Sequence, residues 1–158
     1  MTRIHLALIT SVVLLLSPLP SLAHHAFASE FDETKVVRFQ GTVMMIAQKN
    51  PHSLIFVDAR NDKGDTEHWA IETLSARQMN AFGLGVRGSL NVGDKLEVCG
   101  FATKDGVEPM KSYQAPEPIS LSLKSIPRPI FTGRLMFPDL LSLPDGRKLR
   151  FGPGKCGV

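Results

Sequence analysis

The sequence predicts an all-β fold: an OB-fold-like five-stranded barrel with one short helix between strands 3 and 4 and a C-terminal β appendage. Three observations predict it. Runs of β-branched and apolar residues are separated by turns built from Gly, Asn, Asp and Pro. The first and longest run carries a glycine, Gly41, in its middle, as a strand does where it bulges or bends sharply. A capping box follows the third run, where an OB-fold places its helix. An open β-sandwich of similar strand count is the alternative.

Strand 1 is KVVRFQGTVMMIAQ (35–48), ended by Asn50-Pro51. Strand 2 is HSLIFVDAR (52–60), and Asn61-Asp62-Lys63-Gly64-Asp65 is turn chemistry. Strand 3, TEHWAIET (66–73), alternates, with Trp69 and Ile71 on one face and His68 and Glu72 on the other. Strands 2 and 3 should therefore form a hairpin. Pairing around the Asp62–Lys63 turn sets position 57 opposite 68 and position 52 opposite 73. In Ser75-Ala76-Arg77-Gln78 the serine can accept from a first-turn amide while Gln78 reaches back. Gly83 stops that helix after barely two turns. Strand 4 is KLEVCGFAT (95–103), entered through the turn Leu90 to Asp94. Strand 5 is placed at ISLSLKSI (119–126), between Pro109, Pro116 and Pro118 on one side and Pro127 and Pro129 on the other. FTGRLMF and LSLPDGRKLRF then form a hairpin-like appendage, so the barrel domain is read as 24–126 and the extension as 127–158.

The first 23 residues have the form of a signal peptide. Arg3 gives a positive start, Ile4 to Leu16 is mostly apolar, and Ser21-Leu22-Ala23 places small residues where signal peptidase reads them. The apolar run is shorter than the ~20 residues of a comfortable membrane span, although an uncleaved anchor is the alternative. Ala26-Phe27-Ala28 is a rival cleavage site. Cutting after Ala23 leaves 135 of the 158 residues, enough for a core without staples. It also removes one of 18 Lys and Arg, so the net charge falls from +3 to +2. That charge, spread along the chain, forms no basic stripe for nucleic acid. The expected location is periplasmic or secreted, with no membrane span after cleavage. Both cysteines, Cys99 and Cys156, are in the mature part, and an oxidising compartment favours their pairing. A Cys99–Cys156 disulfide would contribute on the order of 3–4 kcal/mol by restricting the unfolded chain.

Several stretches together resemble one family of exported bacterial proteins whose function is unknown: HHAFASEFD (24–32), FQGTV (39–43), NPHSLIFVD (50–58), HWAIE (68–72), LNVGDKLEVCGF (90–101) and SLPDGRKL (142–149). The resemblance implies a secreted or periplasmic OB-like barrel and no particular activity. It marks His24, His25, Asn50-Pro51-His52 and Glu72. The chain departs from the family pattern in the proline-rich stretch 109–129.

Cleavage after Ala23 would free an N-terminal histidine, whose α-amine and ring nitrogen form a chelating pair. A further imidazole completes a nitrogen-rich site that favours copper. The hairpin register brings His52 and Glu72 to one end and leaves His68 too far along to join. His24, His25, His52 and Glu72 are therefore the candidate metal ligands. Against this stand plainer roles: a polar chain end for the pair, a strand-capping ring for His52 and a solvated carboxylate for Glu72.

Other chemistries lack their residues. There is no G-x-S-x-G elbow, no glycine-rich phosphate loop, CxxC or HExxH, and no spacing among Asp32, Asp58 and Glu72 that marks an acid/base pair. Phe56, Trp69 and Phe101 could make a stacking platform for bases, but their alternation with polar residues assigns them to the core. The expected function is a binding module rather than an enzyme, taking a transition metal such as copper. The alternative is a metal-free adaptor for a protein or envelope partner, acting through barrel loops. An N-terminal-histidine copper oxygenase has the weakest support, for want of a substrate platform.

Overall fold

The computed structural model describes residues 27–84, 88–104, 113–114, 130–131 and 133–157. After a helical turn at 27–30 come β1 (Phe31–Ala47), β2 (Leu54–Arg60), β3 (Thr66–Glu72), α1 (Ala76–Ala81), β4 (Lys95–Thr103), β5 (Tyr113–Gln114), β6 (Ile130–Phe131), β7 (Arg134–Ser142) and β8 (Lys148–Arg150). The main sheet runs β3-β2-β1-β4-β7-β8, and β3 also pairs with β7. That last pairing is parallel and closes a five-stranded ring, leaving β8 outside it. Strands β5 and β6 pair with each other in a separate two-stranded sheet.

Strand β1 serves both halves of the barrel. Val36 to Thr42 pairs with β4, and Gly41 to Ala47 pairs with β2. The two ladders overlap at Gly41 and Thr42, where the strand passes from one partner to the other. A Cβ on Gly41 would lie 2.3 Å from Val57 Cγ1 and 2.7 Å from the Asp58 carbonyl oxygen. The glycine is thus required by close approach of β2. A bulge follows between Val43 and Met45, a feature that bends a strand. Gly41→Ala is expected to destabilise the fold by about 1–3 kcal/mol through overpacking. Urea denaturation checks this, and a loss within 0.5 kcal/mol would show that the strand yields instead.

The hairpin forms, but its register differs by one residue from the sequence reading. Val57 pairs with Trp69, Asp58 with His68 and Leu54 with Glu72. The cause is the turn. Asn61 N–H donates to the Asp65 carbonyl (3.0 Å), and Gly64, at φ 85°, donates back to the Asn61 carbonyl (2.9 Å). The Asn61 side-chain oxygen accepts from Lys63 and Asp65. This loop is centred on Lys63, not on the Asp62–Lys63 bond.

The helix signal is met in full. Ser75 Oγ accepts from Gln78 N–H, and Gln78 Oε1 accepts from Ser75 N–H. The helix sets Met79, fully buried, into a core with Val43, Ile55, Val57, Ile71, Leu96, Val98 and Leu141. Strand β2 is buried on both faces, since Leu54 and Phe56 join Ala47 and Ala70 in a second cluster. This explains its unbroken apolar run. Phe56, Trp69 and Phe101 are all buried.

One assignment is corrected. The wall position given to strand 5 at 119–126 is held by β7, which the sequence reading placed in the appendage; 119–126 itself lies outside the described residues. Barrel residues thus extend to Ser142, beyond the boundary at 126, and the appendage is reduced to β8 and the tail. Pro138 lies within β7, and a proline inside a sheet is confined to edges, strand starts and bulges. It sits beside a bulge, where Cys99 faces Leu140 and Gly100 faces Pro138. The tail is tied back as expected: Cys99 and Cys156 form a disulfide with Cα atoms 5.9 Å apart. No helix among the described residues is long and apolar enough to cross a membrane.

Candidate functional site

A pocket of about 480 Å³ opens where the helical turn at 27–30, the residues before β2, the end of β3 and the Phe151-Gly152-Pro153 segment meet. Its size is that of a small-ligand site. Phe27, Phe31, Phe137 and Phe151 supply its apolar part, and Glu30, Glu33, His52 and Glu72 its polar part.

His52 is placed by an extension of the hairpin. Asn50-Pro51 is a cis peptide. Beyond it the buried Ser53 exchanges backbone hydrogen bonds with its neighbours across the hairpin. Its N–H donates to the Leu74 carbonyl (2.9 Å), and its carbonyl accepts from Thr73 N–H (2.8 Å). This fixes His52 beside the end of β3, where its Nδ1 contacts Glu72 Oε1. Glu72 is largely buried while His52 is largely exposed. Burial pushes the Glu72 carboxyl above its ordinary range. The charge of His52 opposes that and the charge of Glu30 adds to it.

His52 and Glu72 meet at one end of the hairpin as expected, and the one-residue error in register is small enough not to separate them. His24 and His25 lie outside the described residues. His68 stays apart, as expected, with its Nδ1 2.6 Å from Asp58 Oδ1 on the directly opposite residue of β2. The expected register hid this partner by setting Val57 opposite His68. Among the described residues, no group of three His, Cys, Asp or Glu is placed to hold a metal ion.

Sequence reasoning missed the aromatic wall. The Phe27 ring centroid lies 4.9 Å from that of Phe137, 5.6 Å from Phe31 and 6.0 Å from Phe101. Phe31 and Phe137 are 5.7 Å apart. The signal was the i, i+4 spacing of Phe27 and Phe31, which places two rings on one side of a helical turn.

Five strands closed through a parallel β3–β7 pair, a short helix between β3 and β4 and a pocket at the chain's entry define the class: an OB-fold-like barrel with a ligand-sized site. More particularly, a family model described as a family of unknown function, DUF6152, matches residues 12–110, and the chain belongs to that family. No curated protein matches the chain. Among solved structures, the S. cerevisiae mitochondrial single-stranded DNA binding protein Rim1 is similar over 75% of this chain and 97% of its own, at 11% identity and a TM-score of 0.39. A likeness of that size carries no argument about ligands, and the fold assignment rests on the strand pairing.

Proposed function

We propose that the protein is an exported binding module, not an enzyme, and that its ligand is a transition metal ion, copper before zinc. His52 and the mature N-terminal histidines, His24 and His25, bind it. The observation that carries this reading is the state of His52: Nδ1 is engaged by Glu72, and the exposed ring has no other partner among the described residues. A carboxylate on one ring nitrogen orients an imidazole and makes the other nitrogen a better metal ligand. Glu72 therefore serves as the orienting carboxylate rather than as a direct ligand. Asp58 holds His68 in the same way, but His68 lies further along the hairpin, away from the pocket that Phe27 and His52 line.

Chain length supports the rest. Phe27 lines the same pocket as His52, and three residues of chain span at most about 11 Å, which keeps His24 and His25 close to it. The disulfide supports export, since such bonds persist in oxidising compartments.

The test is a titration of the processed protein with Cu(II) and Zn(II) at neutral pH. His52→Ala and Glu72→Gln should each weaken copper binding by about 10–100-fold. Binding no tighter than that of an unstructured His-His peptide would reject the metal and leave the metal-free adaptor as the reading.

A further inference from the structure

The pocket is acidic as well as aromatic. Among the described residues, three glutamates line it and no lysine or arginine does. Glu33 is matched by Lys155, Oε2 to Nζ 2.7 Å. Glu72 is shared with His52 and feels Lys49. Glu30 is exposed and has no ion-pair partner among the described residues. Glu30 and Glu72 both line the pocket, so the two carboxylates face a common space. Such a site suits an occupant with one positive charge and some apolar bulk.

We infer that the occupant is the chain's own new N-terminus: after cleavage at Ala23, the segment His24-His25-Ala26 seats in this pocket with its α-ammonium against Glu30 and Glu72. Three observations support it. Phe27 enters the pocket wall through contacts with three rings, so the chain is anchored at the pocket one residue after the segment ends. The span from Phe27 to His24 is at most about 11 Å, and a cavity of 480 Å³ is about 10 Å across, so the segment matches the space. Signal-peptidase cleavage creates an α-amino group that is mostly protonated at neutral pH, which supplies the missing cation. Cleavage after Ala28 would instead discard Phe27 and open the ring cluster, although a signal peptide has no part in the mature fold.

This inference shares the Ala23 cleavage with the metal reading but does not need a metal. Seating of the amine and both imidazoles beside His52 would preassemble the donors that copper takes up.

The test uses the full precursor, exported and processed in a bacterial host, then stripped of metal with chelator. Intact mass should place the first residue at His24; a chain beginning at Ser29 overturns the inference. In the metal-free protein, nuclear Overhauser contacts should link the His24 and His25 rings to Phe137 and Phe151. Aminopeptidase should trim the chain at least ~10-fold more slowly than it trims the Phe27→Ala or Glu30→Gln variant. Glu30 is exposed, so Glu30→Gln keeps the fold if Phe27→Ala does not. A His24 start with random-coil amides and unchanged trimming overturns the docking. It leaves the metal reading to the copper titration, which decides that separately. Contacts from a second copy or a co-purified organic cation in the same pocket also overturn it.

Discussion

Asp139→Ala is expected to destabilise the protein by about 3–5 kcal/mol and to release the C-terminal tail. Asp139 is fully buried. Its Oδ1 accepts from Gly154 N–H at 2.7 Å and its Oδ2 from Cys156 N–H at 2.6 Å. Its own carbonyl accepts from Phe151 N–H at 2.9 Å. Arg150 Nη1 stands 3.9 Å from Oδ2. Asp139 is the residue that the β4–β7 register skips, and a bulge of that kind re-aims a side chain. Here it lets a wall strand direct a carboxylate at the tail. The tail approaches closely in turn, for a Cβ on Gly152 would lie 2.7 Å from Oδ1.

Each hydrogen bond to a charged group contributes about 1.5–3 kcal/mol, and the alanine leaves two tail amides without their acceptor. Asp139→Asn should cost less than Asp139→Ala, because the amide oxygen keeps one amide satisfied while its NH₂ meets the other donor. Urea denaturation of the oxidised protein measures both. A change below 1 kcal/mol for the alanine variant would mean that water replaces the carboxylate without loss.

The parts of this fold that local chemistry determines were legible in the sequence. Gly41 announced the irregularity in the first strand, Ser75 and Gln78 the helix, and KLEVCGFAT a strand whose bounds, Lys95–Thr103, agree with the expected ones. Contacts set by long-range closure were not. Nothing local to Arg134–Ser142 says that it pairs in parallel with β3. The hairpin register turned on whether a five-residue connection centres on a residue or on a bond. The alternation of Thr66 to Glu72 does not decide that. In the site, His52 and Glu72 were legible because both lie at one hairpin end. Phe27 and Phe137 were not, since their meeting depends on β7 being in the wall.

Loss of the Cys99–Cys156 disulfide is the second large effect, expected at about 4 kcal/mol. The two positions are separated by 57 residues, and a closed loop of that length restricts the unfolded chain by about this amount in the chain-entropy model. On a chain of this size that is a fall in Tm of roughly 10–15 °C. Both cysteines are buried, packed with Leu140, and Arg38 Nη1 donates to the Cys156 carbonyl at 3.3 Å. Replacing both by alanine therefore keeps most of the packing and isolates the covalent term. The bond and the Asp139 carboxylate act on one residue, since Asp139 holds the Cys156 amide. Their losses should not add. Once the tail is free to leave, removing Asp139 should cost clearly less than it does in the oxidised protein. Thermal melts of the wild type, Asp139→Ala, the cysteine pair variant and the combined variant complete that cycle. Strict additivity would show that the tail stays docked without its bond, held by Asp139 and the β7–β8 ladder.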